Sequence, residues 1–177
     1  MQKLLSALVF AGALLINQPA NAQIQTFSYD NEAQLVGAAI ASPEGTRLVL
    51  LNVVNFCSKN FQSVKTAADG AYARWMERHK IYLRHSSGYR AAAKEALTDK
   101  SYPEADRARI GKLLEDGLPR IVQSQSQAAI TPIQIAKENG AGDAMCKDYF
   151  KAVDAGKLDL KVNDPQLTEF FDKRAPK

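Results

Sequence analysis

A chain of 177 residues, with 23 basic against 19 acidic side chains and only two cysteines and two histidines, is long enough to bury one sizeable core. Its mild positive excess does not mark a nucleic-acid binder, and its few cysteines and histidines are too scattered to make a zinc site.

The first element is not part of the fold. Lys3 supplies a positive start, Leu4 to Ile16 form an apolar run too short for a comfortable membrane span, and Ala20-Asn21-Ala22 has the small-x-small pattern of a cleavage site. Residues 1–22 are therefore expected to be a cleaved signal peptide, with a short anchor helix as the lesser alternative. No cysteine at the cut points to a lipoprotein, and no second apolar segment could span a membrane. Removing 22 of the 177 residues leaves 155, and losing Lys3 leaves 22 basic against 19 acidic groups, a net charge of +3. The mature chain, 23–177, reads as one helical domain with a short N-terminal arm at "QIQTFSY".

Export sets the meaning of Cys57 and Cys146. Two cysteines in a compartment that oxidises thiols most simply form one bond, here closing a loop of 89 positions. Chain entropy assigns such a loop about 4 to 5 kcal/mol, before any strain. "CSKNF" and "CKDYF" each place an aromatic one helical turn after the cysteine, so Phe61 and Phe150 should pack beside the bond.

The mature chain then reads as helices throughout. A short one is expected from about Asp30 to Ala41. Ser42-Pro43-Glu44 reads as a cap, an N1 proline and a first-turn acid, opening a second helix to about Phe61. That helix is apolar over most of its circumference, from Leu48 to Phe61, and should be the most buried.

Val64 to His85 carries Ala68, Ala71, Trp75, His79 and Tyr82 on one side; Ser86-Ser87-Gly88 should interrupt it before "YRAAAKEAL" resumes. Ser101 and Glu104 have capping-box spacing and open a helix with Ile110, Leu114, Leu118 and Ile121 inward, which Gly117 and Pro119 should break or kink. "QSQSQ" reads as a surface connection, Thr131-Pro132 and Gln134 as a fresh helix start, and Asp143 as the cap of a helix carrying Met145, Cys146, Tyr149, Phe150 and Val153 inward until Gly156. Asp164-Pro165 starts a terminal helix. The fold expected is all-α: a single bundle of about six or seven helices, with one disulfide tying the central helix to a late one.

Recognisable chemistry is sparse. His79 and His85 lie six apart, off one helical face, so they do not make a metal pair; His79 reads as a core residue and His85 as a helix-end residue. The acids sit in solvated, charge-balanced contexts, and no phosphate-cradling loop or serine elbow is present. No cofactor is implied. What stands out is a basic segment, Arg74, Arg78, Lys80, Arg84, Arg90 and Lys94, interleaved with Tyr72, Trp75, Tyr82 and Tyr89. Arg74, Arg78 and His85 share one stripe of that helix, with Arg84 at its edge, and the four form the candidate binding surface for an anionic protein, lipid phosphate or polysaccharide of the cell envelope.

The leading expectation is thus an exported periplasmic or secreted protein that binds another macromolecule as an inhibitor, accessory or adaptor. A carrier of a small apolar ligand is the second, and an envelope hydrolase with a site assembled only by folding is the third.

Overall fold

Residues 27–174 are described by the computed structural model, so the signal-peptide reading falls outside the described residues. The first helix begins where Asn31, extended at φ −155°, accepts the backbone N–H of Gln34 on its side chain. From there α1 (Glu32–Asn60) runs without a break through Ser42-Pro43-Glu44. The expected boundary at Ser42 is therefore corrected. Pro43 gives up one intrahelical hydrogen bond, but it is itself fully buried between Ala39, Ile40 and Leu50 on one continuous buried face. Tertiary packing of such a face outweighs local propensity.

A turn of 3₁₀ helix at Gln62–Val64 reverses the chain into α2 (Lys65–Thr98), which lies antiparallel along α1. The expected interruption at Ser86-Ser87-Gly88 does not occur either. Ser86 is 1 % exposed and continues the buried stripe of Tyr82, Ala93 and Ala96, so α2 stays helical despite the roughly 1 kcal/mol that an interior glycine costs.

α3 (Glu104–Lys112) opens only at Glu104, with Pro103 at its N-cap rather than Ser101; Ser101 donates its N–H to Asp99 Oδ1, so the expected capping box is not formed. At Leu113–Gly117 the helix widens to a π turn and passes directly into α4 (Leu118–Glu138). The kink foreseen at Gly117 is this widened turn. Leu118 is buried beyond it as expected, but α4 then buries Val122, four residues on, and leaves Ile121, three residues on, 47 % exposed. "QSQSQ" and Thr131-Pro132 both lie inside α4, not in a connection or at a new start; Ser126 is buried and Ile133 carries the stripe on.

α5 (Gly142–Asp154) follows, with Ala141 rather than Asp143 at its cap and Asp143 in its first turn; Met145 faces outward, while Cys146, Phe150 and Val153 are buried. Gly156, at φ +79°, stops it as expected. α6 (Leu160–Asn163) and α7 (Pro165–Asp172) close the chain, the latter capped by Asp164, whose side chain accepts the Leu167 N–H.

Among the described residues the fold is all-α, with seven helical segments, α3 and α4 being joined through the π turn. Cys57 and Cys146 form the disulfide, Cα atoms 6.1 Å apart, tying α1 to α5. Phe150 and Phe61 pack in the same cluster, with Trp75, Val53 and Ile133. A second cluster at the other end joins Ala39 and Tyr82 to Leu167, Phe170 and Phe171 of α7. The described end of the arm is fixed there: Tyr29 exchanges two backbone hydrogen bonds with the Gln166 amide and donates its hydroxyl to Asp164 at 2.6 Å.

Candidate functional site

The basic face of α2 is largely spent inside the molecule. Arg74 donates from Nε and Nη2 to the two carboxylate oxygens of Asp154, at 2.9 and 2.7 Å, and holds that carboxyl below its ordinary range. One turn on, Arg78 donates from Nη2 to the Val153 carbonyl at 2.7 Å and grips Asp159 with the same guanidinium. Both arginines thus lash the end of α5 and its following turn to α2. His85 is half-buried and stacks on the Phe171 ring, centroids 5.4 Å apart. Arg84 alone of the four is exposed without an ion pair among the described residues. The structure therefore does not bring these four side chains together as one free cationic surface.

His79 is a core residue, 2 % exposed and stacked on Trp75. Its Nδ1 lies 2.8 Å from the Trp75 carbonyl and its Nε2 accepts the Leu160 N–H, which fixes the neutral ring with the proton on Nδ1. Burial pushes its pKa down. No cluster of three or more histidine, cysteine or acidic side chains is placed to hold a metal among the described residues.

A sizeable concavity lies elsewhere. Leu48, Asn52 and Phe56, each one turn apart on α1, face Leu118, Val122, Ser126, Ile130 and Gln134, each one turn apart on α4. Between the two rows is an open groove of about 830 Å³. Leu114 of the π turn also lines it, and Gly45 lies buried beside Leu118 and Val122. Asn52 donates to the Ser126 hydroxyl at 2.9 Å across the groove. Gln123, Gln127 and Thr131 form a polar rim.

Arg90 of α2 lines this groove and also a second recess of about 310 Å³, shared with Glu44, Ser86, Ser87 and Lys94. Glu44 is held by Arg47 through two contacts of 2.7 Å, which keep its carboxyl below the usual range, while Arg90 stays 3.5 Å away. Comparison with known proteins finds no family model, no curated protein and no solved structure similar to this chain.

Sequence reasoning passed over the groove because it broke α4 at "QSQSQ". The four-residue repeat from Leu118 to Gln134 becomes visible only when that polar stretch is kept helical. Arg90 and Lys94 did stand out as members of the basic segment, but without the partner helix nothing distinguished them from Arg74 and Arg78.

Proposed function

We propose that this is an exported carrier protein that holds a small ligand with an apolar body in the groove between α1 and α4. The observation that carries the reading is the groove itself: its volume of about 830 Å³ falls in the range typical of small-molecule sites, and its lining pairs an apolar wall that includes Leu48, Phe56, Leu118, Val122 and Ile130 with an equal number of polar side chains that can orient a ligand. Among the described residues no helix is long and apolar enough to cross a membrane, and a disulfide suits an oxidising compartment. With the signal-peptide reading of 1–22, these support a periplasmic or secreted location.

The carrier is favoured over a macromolecular adaptor acting through α2, because Arg74 and Arg78 already have carboxylate partners of their own. It is favoured over a hydrolase built on His79, because both ring nitrogens are engaged by backbone groups in a buried site.

Titration of the mature protein with a neutral, environment-sensitive naphthylamine dye tests the reading. Saturable enhancement at one site is expected, and it should be lost in Asn52→Trp, which places an indole across the groove from an exposed position. A wild-type protein that gives no saturable signal overturns it.

A further inference from the structure

Resting on that reading, we infer that the ligand is an anionic amphiphile, its carboxylate or phosphate head bound in the recess of Arg90, Lys94, Ser86 and Ser87 and its hydrocarbon laid along the α1/α4 groove. Arg90 makes the connection, because it lines both concavities.

The recess has the chemistry of an anion site. Glu44 is the acid lining it, and its two carboxylate oxygens are already taken by Arg47 at 2.7 Å. The Arg90 guanidinium, 3.5 Å from the nearer of those oxygens, lies outside direct hydrogen-bond range and keeps donors to offer. Lys94, one turn along α2, is exposed and forms no ion pair among the described residues. With Glu44 held by Arg47, the recess lining keeps two cations, Arg90 and Lys94, against that one paired carboxylate.

Ser86 adds a second, independent observation. It is 1 % exposed, lines the recess, and its hydroxyl has no hydrogen-bond partner. A buried hydroxyl left unpaired is costly, and a turn of the Ser86 side chain about χ1 toward the recess would give it an oxyanion held there as its acceptor. Beyond Arg90 the apolar wall takes over: Leu48 to Phe56 covers about 12 Å of α1 at 1.5 Å per residue, a length suited to a single alkyl chain.

The test compares decanoate, decyl phosphate and decanol, each below its aggregation threshold, by calorimetry and by displacement of the naphthylamine dye. Butyrate and inorganic phosphate serve as head-only probes. At least one long-chain anion should bind about tenfold or more tightly than decanol, and that preference should weaken with salt. In Lys94→Gln, outside the groove, the preference should fall toward unity while decanol affinity is kept; in Arg90→Gln, which also lines the groove, the ratio of anion to decanol affinity should fall likewise. Whichever of decanoate and decyl phosphate binds better identifies the source of the head group. Equal affinities for the anions and decanol in the wild type overturn the head site but leave the groove standing. Failure of all three, and of the dye, removes the groove reading itself. Retention of the full preference in both variants also overturns the assignment, and circular dichroism with thermal melting establishes that each variant is folded.

Discussion

His79 accepts the backbone N–H of Leu160 on Nε2 at 3.1 Å, joining the middle of α2 to the start of α6 through a ring that must stay neutral to do so. Burial lowers its pKa from the ordinary 6.5; Asp159, 3.7 Å from Nε2, works the other way, and Arg78, which grips that carboxylate, works with burial. A group whose folded pKa is depressed takes up its proton more readily when unfolded. Its contribution to stability is therefore complete above about pH 6.5 and is lost as pH falls from there toward the folded pKa. The thermal midpoint should decline through that window, and His79→Phe, which keeps a ring but cannot titrate, should flatten the decline while lowering stability overall. Asp164, buried with its carboxyl pushed up, acts with the opposite sign at lower pH, so the slope is read at the upper end of the window.

The disulfide closes a loop of 89 positions between helices that also meet through Phe61 and Phe150. Chain entropy gives an upper figure of about 4 to 5 kcal/mol for its removal. Cys57→Ala with Cys146→Ala should lose about 2 to 5 kcal/mol in denaturant unfolding. The wild-type protein should expose no thiol until it is reduced. Labelling of either cysteine in the native oxidised protein would falsify the pairing.

Two glycines should respond to alanine with opposite sign. At buried Gly142, the first residue of α5, an added methyl overlaps the Phe61 ring and comes within 2.9 Å of Lys137 Cα. Gly142→Ala is expected to cost about 1 to 3 kcal/mol by overpacking. Gly88, exposed in the middle of α2, has nothing within 4 Å of such a methyl. Gly88→Ala should stabilise by about 0.5 to 1 kcal/mol, because only backbone entropy changes. Chemical denaturation of the two variants gives both signs in one experiment.

These contrasts also explain what the sequence could and could not reveal. The disulfide, the buried face around Trp75 and His79, the stop at Gly156 and the cap at Asp164 were legible because each depends on local pattern or on pairing with few alternatives. Helix ends were overcalled at Pro43, Gly88 and Pro132, where local penalties of a few kcal/mol meet a long partner helix that supplies more. Which residue of α4 turns inward after Leu118 was out of reach, since Ile121 and Val122, three and four positions on, are both apolar and lie on adjoining faces. The groove inherited that error. Its two walls lie far apart in sequence, and only the rotation of α4 decides that Val122 and Ser126, rather than Ile121 and Gln125, face α1.

Arg74 and Arg78 look alike in sequence but should behave differently when changed to glutamine. Arg74 makes a two-point ion pair with Asp154, yet its side chain is 58 % exposed, and solvent and salt screen such pairs. Arg74→Gln should leave the thermal midpoint nearly unchanged. Arg78 is less exposed and makes contacts of two kinds: it neutralises Asp159 and adds a charged donor to the Val153 carbonyl, which also accepts the Gly156 N–H at 3.1 Å. Arg78→Gln leaves that carbonyl short of a charged donor and Asp159 without its cation, beside the ring of His79. A loss of about 1 to 2 kcal/mol is expected. Unpaired, Asp159 should also favour the charged imidazole and bring the folded pKa of His79 back toward 6.5, so the acid-side fall in stability should be smaller and end at a higher pH in this variant. Equal thermal midpoints for the two variants, with unchanged pH profiles, would mean that the link from Arg78 through Asp159 to His79 carries no energy.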